Sequence, residues 1–222
     1  MAEHLKLFFL SFAVKWQNFV AIISDALRYY RYVAFRNADI MMMREYLLKN
    51  PYAISRRFLV EKGSKDPYTY GETPLTTMET IVKKCNITSD DTVFELGCGR
   101  GRTVFWLGGV VGCQTVGIDY IPNFIETAQH IAERCGMENV AFKTEDMADA
   151  DLSCATVIYL YGTCLDDIYI KTMIEKFPLK VKIITVSYPL TDYIAGGSLR
   201  VVSQFPVKYP WGKTTAYLHV KS

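Results

Sequence analysis

Residues 95–101 place a glycine at every second position, Gly97, Gly99 and Gly101, two residues after Glu95, between an apolar run that reads as a strand (TVFELGC) and one that reads as a helix. Glycines at a strand-to-helix turn let the backbone fold tightly and approach a ligand where any Cβ would collide. The turn demands a strand end before it, a helix start after it and a ligand against it. That requirement confines the chain to α/β architectures with a site at the carboxyl end of the first strand.

Several ligands use such turns, and neighbouring residues separate them. The dinucleotide fingerprint GxGxxG needs a third glycine where Arg102 stands, which counts against a NAD-dependent oxidoreductase. The phosphate-cradling GxxxxGK[ST] is absent. A carboxylate at Glu95 would repel a pyrophosphate but suits a nucleoside carrying an ammonium and a sulfonium. Cys98 lies inside the loop and is counted with its ligand-facing residues. The second strand, QTVGIDY, ends in Asp119 and Tyr120. A carboxylate there can accept both hydroxyls of a ribose or cap the helix that starts at IPNFIETAQ. After the third strand, NVAFKTED, Asp146 can accept from the exocyclic amine of adenine with Met147 against the ring, or serve only as a solvated loop residue.

Beyond residue 74, helical and strand-like runs take turns: a helix over 74–86, the strand before the loop, a helix over 102–111, QTVGIDY, a helix over 122–135, NVAFKTED, ATVIYLYG, a helix over 165–176 and KVKIITVSYP. Alternation of this kind predicts a parallel sheet covered on both faces. The end differs, since LRVVSQFPVKYP and TTAYLHVKS are joined by Trp211-Gly212-Lys213 with no helix between, which predicts a terminal antiparallel hairpin. The breaker-rich KGSKDPYTYGETP divides this domain (67–222) from an N-terminal helical extension (1–66).

In that extension Leu5, Phe8, Phe12, Trp16, Phe19, Ile23, Leu27 and Tyr30 recur every three or four residues, predicting one long amphipathic helix over the first 35 residues. Lys15, Gln17 and Asn18 interrupt it as a membrane span, and no small-residue cleavage site marks it as a signal peptide. Asn50-Pro51 predicts a boundary between two further helices. Residues 1–66 hold 11 Lys/Arg and 6 Asp/Glu, against 14 and 17 in the remainder. This basic front suits either contact with an anionic membrane surface through residues 1–35 or a cap packed on the domain, engaging substrate or membrane and not the cofactor. The net charge of +2 carries no nucleic-acid footprint. Six scattered cysteines with no CxxC pair predict neither a metal site nor a disulfide framework, and so a reducing, cytoplasmic compartment.

Over residues 68–222 the sequence resembles the class I S-adenosylmethionine-dependent methyltransferases, on ExGxGxG at Glu95–Gly101, Asp119, Asp146 and the final hairpin. The resemblance implies a Rossmann-like seven-stranded α/β sheet with a terminal antiparallel β-hairpin, and S-adenosyl-L-methionine as cofactor. YGETPLTTMETIV, GRGRTVFW, VIYLYGTCLDD and SYPLTDY are similar to the protein-lysine methyltransferases that modify the ATP synthase c subunit. That likeness implies that Tyr70, Glu72 and Thr73 close over the methionine end of the cofactor, that Arg102 is the arginine following the loop, and that a protein lysine is the acceptor. Residues 159–163 lack the Asn/Asp-Pro-Pro-Tyr/Phe signature of amino-group methylation, so a small-molecule acceptor, or a cofactor-binding regulatory protein without turnover, stays open. Methyl transfer to an already activated carbon needs positioning more than a base. Tyr159 and Tyr161 alternate in direction at the end of the fourth strand, and Tyr161, nearer the carboxyl end, is the expected catalytic residue.

Overall fold

The computed structural model describes residues 20–162, 165–194 and 197–222. Each apolar run expected as a strand forms one. β1 (Thr92–Leu96), β2 (Gln114–Asp119), β3 (Val140–Thr144), β4 (Val157–Leu160) and β5 (Lys182–Val186) run parallel, while β6 (Leu199–Tyr209) and β7 (Gly212–Lys221) add an antiparallel edge. The order in the sheet is β3-β2-β1-β4-β5-β7-β6. The chain therefore winds outward from β1 to β3, returns to the other side of β1, and winds outward again. Between β1 and β4 the connections leave to opposite sides, and that reversal opens a crevice at the carboxyl ends of the strands.

Helices α4 (Leu75–Cys85), α5 (Arg102–Trp106), α6 (Pro122–Arg134) and α7 (Asp167–Lys176) accompany the sheet. Side chains alternate across a strand, so each strand feeds two cores. Val93, Val157, Tyr159 and Ile184 pack into one with α4, α5 and α6. Phe94, Leu96, Ile158, Leu160 and Ile183 pack into the other with Ile170, Met173 and Ile174 of α7. Glu95 shares its face with Val93, and its register partner on β4 is Tyr159.

Two elements depart from the sequence reading. The helix expected over 102–111 changes to π-helical winding at Leu107–Val111, and a Cβ on Gly109 would lie 2.8 Å from the backbone nitrogen of Phe35. The wider turn and the missing side chain let a neighbouring helix approach closely. The hairpin turns on Pro210 and Trp211, with β7 beginning at Gly212, whose φ of +145° favours glycine.

The first 19 residues of the expected N-terminal helix lie outside the described residues. The described part of that helix, α1 (20–29), ends at a turn short of residue 35; the two further helices follow, α2 (Val33–Glu45) beginning earlier than expected and α3 (Pro51–Glu61) at the expected boundary. There the Asn50 side chain accepts the Tyr52 N–H at 3.0 Å and Pro51 occupies the first helical position, which needs no donor. The break between α1 and α2 has a charge behind it. Arg102, the first residue of α5, donates to Asp25 on α1 at 2.9 Å and to both oxygens of Asp39 on α2 at 2.8 and 3.0 Å. Tyr30 in the turn donates a further bond to Asp39. A straight helix could not bring residues 25 and 39, 14 positions apart, onto one guanidinium. Tyr29 and Phe35 enter the same core, and Tyr29 meets Trp106 edge to face at 5.5 Å. These helices therefore pack as a cap on α5 and α6. Among the described residues no helix is long and apolar enough to cross a membrane.

Asp39 is wholly buried. Replacing it with Ala leaves the guanidinium of Arg102 with Asp25 alone, and loss of one partner of a buried pair costs about 3 kcal/mol. Denaturant unfolding of Asp39→Ala should show a drop of that size, and a change below about 0.5 kcal/mol, the level of an unremarkable surface substitution, would contradict the tether.

Candidate functional site

At the carboxyl ends of β1, β2 and β4 lies a cavity of about 370 Å³ bounded by Gly97, Asp119, Tyr120, Asp146, Met147 and Tyr161. A narrow annex of about 20 Å³ opens behind it among Glu72, Thr73, Glu95, Cys98, Arg102 and Thr103, with Gly71, Gly97 and Tyr161 common to both. The glycine loop forms the partition. The N–H groups of Gly97 and Cys98 both reach the Ile118 carbonyl, at 2.8 and 2.9 Å, tying the loop to β2. Asp119 then accepts from Gly99 at 2.8 Å and from Ile121 at 2.9 Å, so one carboxylate fixes both the loop and the start of α6 while lining the cavity.

The three glycines have different duties. All have positive φ. A Cβ on Gly97 meets nothing within 4 Å and would project into open space at the cavity wall. One on Gly99 would press on the Tyr70 ring at 2.9 Å, and one on Gly101 would collide with the Phe142 ring. Gly97 is thus the position left open toward the cavity, and the other two are kept bare for protein packing. Cys98 packs against Gly117, where a Cβ would stand 2.9 Å from its sulfur.

Four carboxylates converge here under different constraints. Glu95 is buried and accepts the Thr103 hydroxyl at 2.6 Å; burial outweighs that bond and pushes its carboxyl up to about 8. Burial also raises Asp119, against its backbone donors. Burial raises Glu72 too, but the two bonds from Arg100, at 2.6 and 2.7 Å, prevail and hold it below the ordinary range. Tyr70 adds a hydroxyl donor to Glu72 and lays its ring over the loop. Asp146, exposed in the loop after β3, accepts from Tyr169 of α7 and from the Ala148 N–H at 2.9 Å, so it is held at the rim.

Tyr159 turns inward, bonded to Thr73 at 2.6 Å and to Tyr209 at 3.1 Å, whereas Tyr161 borders both cavity and annex. Thr73 thereby spends its hydroxyl on this buried cluster. Arg102 borders the annex, but its guanidinium points to α1 and α2. The N-terminal extension borders the cavity as well: Ser55 of α3 lines it, Phe58 meets Tyr120 at 5.5 Å and Tyr52 meets Tyr70 at 5.1 Å. Arg100 and Tyr169 were missed by sequence reasoning. The GRGR run carried a signal for Arg100, and DDIYIKT, as the first turn of the helix after β4, carried one for Tyr169. His219 is buried among backbone partners, with its Nε2 accepting the Leu190 N–H at 3.0 Å. Among the described residues no group of three or more potential metal ligands assembles.

These duties predict opposite phenotypes. Gly101→Ala should unfold at lower denaturant than the parent by several kcal/mol, through the Phe142 collision added to about 1–3 kcal/mol of backbone strain. Gly97→Ala should carry only the strain while obstructing the cavity. Equal stabilities for the two variants would contradict the assignment.

Residues 87–195 match a family model described as a methyltransferase domain. Among curated proteins, human EEF1A lysine methyltransferase 2 is 27% identical over 106 residues, 48% of this chain and 43% of the relative, and the mouse protein is 27% identical over 115 residues. The chain thus spans less than half the length of these relatives. An RNA methyltransferase from Salinibacter ruber, solved in complex with S-adenosyl-L-homocysteine, has a TM-score of 0.54 at 21% identity, covering 68% of this chain and 93% of its own. Geranyl diphosphate C-methyltransferase from Streptomyces coelicolor A3(2) has a TM-score of 0.53 at 10% identity, over 67% and 79% of the two chains. These likenesses carry the fold and not an acceptor. The segment carrying the glycine loop, Asp119, Asp146 and Tyr161 matches a methyltransferase-domain model and has the fold of S-adenosylmethionine-dependent methyltransferases.

Proposed function

We propose that the chain is an S-adenosylmethionine-dependent methyltransferase whose acceptor is an amine, with a protein lysine as its substrate. The observation that carries the cofactor reading is Glu95: a buried carboxyl held by one hydroxyl, in an annex continuous with a nucleoside-sized cavity. Such a group favours a cationic ligand, whose charge would stabilise the ionised carboxylate. The residues present fit this cofactor. Asp119 and Tyr120 suit the ribose, Asp146 and Met147 the adenine, Gly97 the close backbone approach, and Glu95 with Thr103 the ammonium end. When bound, the cofactor supplies a methyl group on a cationic sulfur, which departs as a neutral thioether while the acceptor nitrogen gains a carbon bond and sheds a proton.

The chain's own contribution is placement and exclusion of water. Tyr161 stands where annex and cavity meet, and its ring would flank the acceptor nitrogen. Desolvation beside that ring lowers the pKa of an alkylammonium and favours the neutral nucleophile. The lysine reading draws on the distant similarity to EEF1A lysine methyltransferase 2 and on the sequence resemblance already described. Incubation with labelled S-adenosylmethionine and a cell lysate separated into protein, RNA and small-molecule fractions tests it. Label should appear in protein and release as methyllysine on acid hydrolysis; label confined to RNA or small molecules would overturn the acceptor.

The sign of the Glu95 effect follows from the upward direction in which burial moves its carboxyl. A carboxyl raised in the folded state costs nothing below the unfolded pKa of about 4.5, and its stabilising contribution is lost as pH rises toward about 8. Each tenfold change in proton affinity between the folded and unfolded chain is worth about 1.4 kcal/mol. Glu95→Gln, which keeps an acceptor for Thr103, should therefore match the parent near pH 4 and exceed it by a few kcal/mol at pH 9. The same variant should bind S-adenosylmethionine more weakly. A variant less stable than the parent at pH 9, or one binding with undiminished affinity, would refute the role.

A further inference from the structure

A second opening meets the annex at residues that do not line the nucleoside-sized cavity. A groove of about 570 Å³ runs between α1 and the β6–β7 turn, bordered by Ser24, Asp25, Tyr52, Pro74 and Pro210, and it ends on Glu72, Thr73 and Arg102, which also border the annex. Cavity, annex and groove therefore lie in series. The nucleoside would fill the first, and the reacting end would face the third.

Two features along this route select for charge. The first is a run of three stacked rings: Tyr161 lies on Tyr209 at 5.1 Å and 12°, and Tyr209 lies on Trp211 at 5.3 Å and 21°. Tyr209 is enclosed within the stack, while Tyr161 reaches the annex and Trp211, 59% exposed, stands at the surface beside Pro210. Aromatic faces at the two ends of such a stack attract cations. The second is a buried carboxylate at the groove wall. Asp25, which borders the groove, shares the guanidinium of Arg102 with the buried Asp39. Burial raises the Asp25 carboxyl in spite of Arg102. An arriving cation would favour its ionised form.

We propose that the groove is the acceptor subsite and takes a protein segment bearing an aliphatic ammonium, with the exposed ring of Trp211 and the annex-facing ring of Tyr161, at the two ends of the stack, attracting the cation and Asp25 at the groove wall supplying the complementary charge. This rests on the methyltransferase reading above and adds the route and the residues that select the substrate. A neutral or anionic acceptor would meet the same wall without gain, and a planar base has no free ring face inside the stack to lie on.

The full chain labelled with 5-fluorotryptophan, saturated with S-adenosylhomocysteine, provides the test by fluorine NMR. Its tryptophans are Trp16, Trp106 and Trp211, and Trp211→Phe identifies the resonance concerned. N-acetyl-lysine methylamide should shift the Trp211 resonance saturably in the millimolar range, and the neutral isostere N-acetyl-norleucine methylamide should not shift it at equal concentration. Asp25→Asn, which retains an acceptor for Arg102, should weaken the lysine amide at least threefold while leaving S-adenosylhomocysteine affinity, read by calorimetry, unchanged. Equal shifts from both amides, or none from either in a protein that binds S-adenosylhomocysteine, would overturn the groove assignment and leave the methyltransferase reading standing. Failure to bind S-adenosylhomocysteine would remove that reading and this inference with it.

Discussion

The structure around the cavity depends on one burial, that of the Glu95 carboxyl near the end of β1. Glu72 has Arg100, Asp25 and Asp39 have Arg102, and Asp119 has the N–H groups of Gly99 and Ile121. Among the described residues no ion pair reaches Glu95, which has the Thr103 hydroxyl and the low dielectric of the sheet. A neutral hydrogen bond contributes about 1 kcal/mol net, whereas burying a charge costs several, so desolvation prevails and the group is protonated near neutrality. A fold selected for stability alone would place an apolar residue there. Keeping the acid makes sense when a cation completes the site.

Two arginines on either side of Gly101 divide the remaining work. Arg100 lies inside the loop and clasps Glu72, drawing the 70–73 strap across the annex, while its guanidinium rests over the Tyr46 ring at 4.9 Å. Arg102 lies just beyond and pulls α1 and α2 down onto α5. The N-terminal helices are thereby coupled to the segment that lines the cavity, and α3, through Phe58 and Tyr52, reaches the residues that border it. The extension thus belongs to the structure of the site, and its outward face, with Val20, Ile22, Ile23 and Leu27 exposed, is a separate matter.

The sheet was legible because strands buried on both faces appear as short apolar runs, and because the glycine loop could stand only between a strand and a helix. Asp119 and Asp146 were legible because each closes such a run. What local patterning could not reveal is long-range pairing. The Arg102 bridges span 63 and 77 positions, so periodicity alone carried the first helix to residue 35, past the turn that ends α1, and left the partners of Arg102 out of sight. The π-helical segment escaped because its cause, the approach of Phe35 to Gly109, lies in another element. Among the glycines, sequence reasoning assigned the ligand contact to all three, and only neighbouring side chains separate Gly97 from Gly99 and Gly101.

The central claim is that Glu95 awaits a cation, and proton release on binding measures it most directly. Calorimetric titration of S-adenosylmethionine at pH 7, in two buffers of different ionisation enthalpy, counts protons exchanged on binding. With the Glu95 carboxyl at about 8 before binding and ionised afterwards, close to one proton per ligand should leave the parent protein, and none should leave Glu95→Gln. Binding without proton release in the parent, or equal release from both proteins, would contradict the account.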